Sequence, residues 1–193
     1  MRNEALLRKL RDEMRSIGGL RADAATLPFG LSAIDNILPR RGLELASLHE
    51  IAGGASGAIH GAAAILFAAG IAARTSGQVL WCITRPDLFA PALAQAGLDP
   101  DRIIMVEAGD EASLLACCEK GLRHGGLGAV VGEIAKLPMT ASRRLKLAAE
   151  ASGTLALAMR RWKRDRDTSD FGQPTAAATR WRVTALPSSP LPV

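Results

Sequence analysis

Strand-like and helix-like stretches alternate along the middle of this chain, and no other feature constrains its fold as tightly. "ASLHEIA" reads as a strand that runs into a glycine-rich turn, and an alanine-rich helix over residues 61–74 follows. "QVLWCIT" is a buried strand rich in β-branched and aromatic residues, "DLFAPALAQAG" a helix closed by Gly97, and "RIIMVEA" the next strand. "DEASLLACCEKGLRH" then makes a helix capped by Asp110 or Ser113, and "LGAVVGEI" a strand with a glycine at each flank. "TASRRLKLAAEASG" is a helix with Thr140 as its N-cap, and "TLALAMRRW" a strand. Strands separated by helices of about 10 to 15 residues are the pattern of right-handed βαβ units. The predicted fold is therefore α/β, three layers around a mostly parallel central sheet.

The flanks differ from this middle. Leu6, Leu7, Leu10, Met14 and Ile17 recur at helical spacing among arginines and lysines, which predicts an N-terminal amphipathic helix. "GGLRADAAT" separates it from the rest, so its apolar face, with Leu6, Leu7, Leu10 and Met14, is a candidate for docking on a partner. Further on, Ser32 is placed to cap a short helix running to Leu38, which Pro39 ends. After Trp162 the polar stretch 163–178 lacks periodicity and exceeds usual connection lengths, which marks a functional or disordered surface loop. "TRWRVTAL" alternates as a half-buried strand does, and "PSSPLPV" reads as a linker or the start of a C-terminal extension. The resulting plan is a helix and linker over 1–25, a core over 26–186 and a tail over 187–193.

Composition narrows the function classes. Apolar residues make up 48% and charged residues 22%, as in soluble globular domains. The longest apolar run, Gly61 to Ala73, is well short of the roughly 20 residues that span a bilayer, and the N-terminus lacks the apolar core of a signal peptide. A cytoplasmic protein with no membrane partner is expected. Cys82, Cys117 and Cys118 show no metal-ligand or disulfide spacing, so they are expected to be reduced and no metal site is predicted. The net charge of +5 is unevenly placed: residues 1–138 carry 14 basic and 15 acidic side chains, residues 139–193 carry 10 and 4. Such asymmetry suits a surface that meets nucleic acid or an acidic protein.

The glycine turn after "LHEIA" has the layout of a phosphate-binding loop. A working loop aims backbone N–H groups at phosphates, adds a lysine charge, and offers a hydroxyl to Mg²⁺. Here Gly53, Gly54, Gly57 and Gly61 survive, Ser56 is the only hydroxyl in the turn, and no Lys or Arg occurs between Arg41 and Arg74. His60 is the one side chain nearby that could meet an anion at the helix start. "GAVVGEI" places Gly132 where a metal-holding aspartate would end the strand, with Glu133 one residue late and therefore on the other face. The expectation is a degenerate loop retained as a structural turn, with no catalytic residues and no cofactor.

This order of elements resembles the RecA ATPase core. Residues 27–57 look like its entry, with Asp35 on a short helix and Arg41-Gly42-Leu43 in place of a "GGL" turn, and "FGQPTAAATRWRVTAL" is similar to its second DNA-binding loop and the strand after it. Where RecA carries its catalytic glutamate, this chain has Arg85. Closer still is the likeness to the ImuA family, the RecA-like (also called SulA-like) component of the bacterial inducible-mutagenesis cassette, as found in alphaproteobacteria. "HGAAAILFAAGI", "RPDLFAPAL", "VEAGDE", "GLGAVVGEI" and "TASRRLKLAAEASGTLALAMRRW" carry it, and with their neighbours they cover most of residues 26–162.

The resemblance implies a non-enzymatic accessory role in SOS-induced, error-prone translesion synthesis. It implies work beside ImuB, a catalytically dead relative of Y-family polymerases, and beside an error-prone C-family DNA polymerase. RecA itself is a further candidate partner, and self-association is compatible with the same fold. From the residues alone, Arg160, Arg161, Trp162, Lys163, Arg164, Arg166, Arg180 and Arg182 form a candidate surface for DNA or protein: cations for phosphates and an aromatic for stacking, tempered by Asp165, Asp167 and Asp170. The rival readings are an ATP-dependent RecA-like recombinase and an inhibitor that caps RecA filaments.

Overall fold

A computed structural model describes residues 25–55, 57–162 and 171–186. Chain packing divides the molecule into two compact units, Met1–Glu44 and Leu45–Val193. The predicted amphipathic helix, with Leu6, Leu7, Leu10 and Met14, lies outside the described residues.

In the first unit, strand β1 (Thr26–Leu27) pairs antiparallel with β2 (Leu43–Glu44) around helix α1 (Ser32–Asp35). Ser32 is not the cap expected from sequence: it is the first helical residue, Leu31 precedes it without a side-chain cap, and the helix ends at Asp35 rather than Leu38. Asp35 ties the entering backbone down instead, because its carboxylate accepts from the N–H groups of Phe29 at 2.7 Å and Gly30 at 2.9 Å. The chain then turns through Arg40 and Arg41, both with positive φ (56° and 58°).

The second unit is built on six parallel strands. In chain order these are β3 (Leu48–Gly53), α2 (Ala58–Ala73), β4 (Gln78–Ile83), α3 (Ala90–Gln95) and β5 (Ile103–Glu107). Then come α4 (Glu111–His124), β6 (Leu127–Ile134), α5 (Met139–Ser152), β7 (Leu155–Arg160) and β8 (Thr179–Val183). Across the sheet the strands run β5-β4-β6-β7-β3-β8, and every neighbouring pair is parallel. Parallel neighbours require a crossover, and the helices supply it. The α/β architecture expected from the alternation is therefore the one observed.

Alternation along the strands sorts the side chains into two layers. Leu48, Val130, Ile134 and Ala156 face one way and close a core with Leu114, Leu122, Leu145 and Ala149 of α4 and α5. On the opposite face α2 packs against β3, β7 and β8, and its Phe67 lies 5.3 Å from Trp181 of β8, ring centre to ring centre. Both central strands β3 and β7 are buried throughout, which is why their sequences lack the apolar-polar alternation of a half-exposed strand.

Local capping preferences are realised at some helix starts and overridden at others. Asp110, not Ser113, caps α4, since its Oδ1 accepts from the Ser113 N–H at 2.7 Å. Thr140 is not the cap of α5: that position belongs to Pro138, and Thr140 lies inside the first turn. Helix α2 begins at Ala58, three residues before the expected Gly61. Cys82, Cys117 and Cys118 are free thiols, with Cys82 and Cys118 buried in the same core layer. Among the described residues no helix is long and apolar enough to cross a membrane.

The segment leading into β8 is not a bare loop. From Phe171, which is buried, it is fastened to the domain by the N–H of Ala176 on Ser142 Oγ at 3.0 Å and the N–H of Ala178 on the Leu48 carbonyl at 2.8 Å.

Candidate functional site

The glycine turn sits at the carboxyl end of the sheet, where open α/β domains place their sites. Gly57 holds the position before α2 at φ 108°, a conformation that L side chains rarely adopt. Gly54 donates its N–H to the Val183 carbonyl at 2.8 Å, and a Cβ on it would lie 1.8 Å from Thr184 Oγ1. The turn is thus pressed against the end of β8, and Gly54 is needed for that approach. Gly53 backs onto the main chain of His60, and Gly61 lines the cavity described below. Nδ1 of His60 is buried without a hydrogen-bond partner among the described residues, while Ser56 lies outside them.

On β6, Gly132 and Glu133 face opposite ways, as the strand's register demands. A Cβ on Gly132 would lie 2.7 Å from Cys118 Sγ, so this position faces α4. Glu133 therefore faces the other way, buried, where Oε1 accepts from Trp81 Nε1 at 2.9 Å and Oε2 from Arg161 Nη1 at 2.6 Å. Arg161 also grips Asp87, with Nη1 on Oδ1 at 2.7 Å and Nη2 on Oδ2 at 2.9 Å. The paired hydrogen bonds to Asp87 raise the basicity of the guanidinium further, and the same bonds hold the Asp87 carboxyl below its ordinary value.

A second ion cluster lies on the α4/α5 face. Glu50, in the middle of β3, is fully buried, and Arg160 Nη1 meets its Oε1 at 2.8 Å with both side chains removed from solvent. Arg160 Nη2 also donates to the Ala135 carbonyl at 2.8 Å. Oε2 of Glu50 accepts from Arg180 Nε at 2.7 Å and from Thr175 Oγ1 at 2.9 Å. Strand register dictates the meeting, since Glu50 pairs with Arg180 on one side and Ala158, two residues before Arg160, on the other. The consecutive arginines Arg160 and Arg161 thus serve opposite faces of the sheet.

These contacts redistribute the candidate basic surface. Arg160 is buried, Arg161 is shared between two carboxylates, and Arg180 reaches Glu50 and the Phe171 carbonyl while lying 4.3 Å over the Phe171 ring. Arg182 is exposed and stands 5.1 Å over the same ring, and Trp162 meets that ring edge-on at 6.0 Å. Lys163, Arg164 and Arg166 lie outside the described residues. Sequence reasoning passed over Glu50, Asp87, Phe171 and Thr175. One signal did exist for Glu50: a carboxylate within an otherwise buried strand requires a cationic partner.

Between α2, α3 and the ends of β4 and β7 lies a cavity of about 680 Å³. It is lined by the glycine turn, by Ala58, Gly61, Ala62 and Leu66 of α2, by Leu88 and Phe89 before α3, and by Arg85, Arg161 and Trp162.

Fold and site together define a class: a parallel α/β domain with a glycine turn at the carboxyl end of its sheet, no lysine in that turn, and Arg160 and Arg161 beside it joined to carboxylates. No family model matches the chain. Protein ImuA of Caulobacter vibrioides, in strains NA1000 / CB15N and ATCC 19089 / CIP 103742 / CB 15, is 36% identical to it over 183 residues, which cover 90% of this chain and 74% of that relative. The chain belongs to the ImuA family. Among solved structures, SulA from Pseudomonas aeruginosa aligns with a TM-score of 0.49 at 25% identity, over 58% of this chain and 96% of that one.

Proposed function

We propose that this protein is a non-catalytic accessory factor of SOS-induced, error-prone translesion synthesis, and that it acts by holding ImuB and the error-prone C-family polymerase rather than by turning over a nucleotide. Membership of the ImuA family supports the process. The observation that carries the non-catalytic reading is that two of the three arginines lining the cavity beside the glycine turn are tied to carboxylates. Arg160 and Arg161 are committed to Glu50, Glu133 and Asp87, and the turn itself has no lysine to meet a γ-phosphate.

Two measurements test this reading. A ligand at 100 times its dissociation constant adds about 2.7 kcal/mol of stability, which for a chain of this size raises the melting temperature by roughly 5 to 10 °C. Saturating Mg-ATP is expected to leave the melting temperature where it was. A rise of several degrees would show a working nucleotide site, and phosphate release from ATP would then overturn the non-catalytic reading. A pull-down of ImuB by the full chain is the positive test, and failure to retain ImuB would remove the accessory role. Ending the chain at Trp162 is a poor variant for this purpose, because it deletes β8 together with the Thr175 and Arg180 contacts to Glu50.

Direct contact with DNA is a second reading, favoured by the exposed Arg182 on the edge strand β8 and by the basic surplus of residues 139–193. Binding to single-stranded DNA should then weaken steeply with salt, and Arg182→Glu should lower the slope of log K against log[salt] by about 1. Binding at background level at low salt would eliminate DNA from the reading.

A further inference from the structure

The cavity between α2 and α3 combines features that a nucleotide site does not need and a protein-docking site does. Its rim carries large apolar side chains in solvent: Phe89 is 68% exposed and Leu66 39%, and Ile59, beside the lining residue Ala58, is 71% exposed. Apolar side chains gathered around a concavity mark places where a partner inserts an anchor residue. On the same face of α2 as Leu66 lie Ala58 and Ala62, with Gly61 beside them, and their small size lets an incoming side chain approach the backbone of α2. A volume of about 680 Å³ accepts one or two large side chains.

The charges select the anchor's neighbours. Arg161 is held by Asp87 and Glu133, and both oxygens of Asp87 are occupied by Arg161. Arg85, half-buried on the cavity wall, acts on the Asp87 carboxylate through space, without a hydrogen bond or close ion pair to any described residue. The first turn of α2 adds a weak positive field, since it contains no acidic residue and no side chain caps it. We propose that this cavity is a docking site for an acidic-apolar segment of a partner protein, with an aliphatic or aromatic side chain packed against Phe89 and Leu66 and a neighbouring carboxylate on Arg85. The proposal rests on the partner-binding reading of the function and names the site that serves it. Nucleic acid is disfavoured here because a phosphate chain needs several uncommitted cations and gains nothing from the aliphatic Ile59 and Leu66.

The test is a fluorescence-anisotropy titration of the full chain with a labelled synthetic peptide in which a Leu-Phe pair is flanked by aspartates. Binding is expected, and Phe89→Ala and Arg85→Glu are each expected to weaken it about tenfold or more, the loss of one buried anchor or one charge pair. Arg85→Lys should recover most of the loss, whereas Leu147→Ala, which alters an exposed apolar residue on α5, should change nothing. Unchanged melting temperatures would separate lost binding from lost folding. The proposal is overturned if the peptide does not bind, if Phe89→Ala and Arg85→Glu bind it as well as the unaltered chain, if lysines in place of the aspartates bind equally, or if an oligothymidylate displaces it. ImuB separates the two levels: retention by the unaltered chain and equally by Phe89→Ala and Arg85→Glu leaves the accessory role standing and removes this site, whereas no retention by the unaltered chain removes the accessory role itself.

Discussion

Glu50→Ala is expected to lower the unfolding free energy by about 3 to 5 kcal/mol, because it strands the buried guanidinium of Arg160 without its counter-charge. For a domain of this size the melting temperature should fall by roughly 10 °C. Thermal and urea unfolding followed by circular dichroism would measure it. The loss has a local signature as well, since Thr175 and Arg180 lose the same carboxylate. Limited proteolysis should therefore cut between Phe171 and Ala178 faster in the variant than in the parent. A double variant, Glu50→Leu with Arg160→Met, should recover most of the stability, as apolar replacements of a buried pair commonly do. A Glu50→Ala protein as stable as its parent would show that the cluster contributes nothing to folding.

Arg161→Ala is expected to cost about 2 to 4 kcal/mol, somewhat less because the arginine is partly in contact with water. Glu133 would keep only Trp81 as a partner in a buried position. This variant also has a pH signature. Arg161 holds the Asp87 carboxyl below its ordinary value of 3.8, so Asp87 binds protons more weakly in the folded state than in the unfolded state. The contribution is therefore present at neutral pH and lost as pH falls through the lowered value. The stability gap between parent and Arg161→Ala should narrow below about pH 4, and a gap constant from pH 7 to pH 2 would contradict the assigned pairing.

Much of the fold was legible because its signals are local. Strand and helix runs of the right length alternate, and glycines or prolines punctuate them, so a parallel sheet followed from the sequence alone. Helix starts were less legible. Thr140 has the chemistry of a cap, yet the backbone turns at Pro138, and the purely local preference lost to the geometry of the strand-to-helix connection. Ser32 failed for a related reason, because Asp35 reaches back to the same stretch of backbone.

The site was legible only in its backbone. The glycine turn could be found by its spacing, and the absence of a lysine from it was plain. What the arginines do was hidden, because a run such as "RRWKR" looks the same whether its side chains face water or carboxylates. Glu50 lies 110 residues from Arg160 and 130 from Arg180, and only the order of strands brings the three together. Phe171 was hidden in the same way, its ring claimed by Trp162, Arg180 and Arg182 from two separate segments.

The placement of Arg160 and Arg161 on opposite faces has a genetic consequence. Side chains along a strand alternate in direction, so an in-frame loss or gain of one codon within Leu155–Arg160 would turn each arginine toward the other's partners. A deletion would seat Arg161 at the Glu50 site but put Trp162 where Glu133 and Asp87 need a cation, and an insertion would seat Arg160 there but put Met159 at the Glu50 site, so a single event empties one carboxylate cluster and leaves composition and charge almost untouched. Point substitutions in β7 can be absorbed one contact at a time, but a change in its length cannot. The number of residues between Gly153 and Trp162 is therefore as much a part of this protein's specification as their identity.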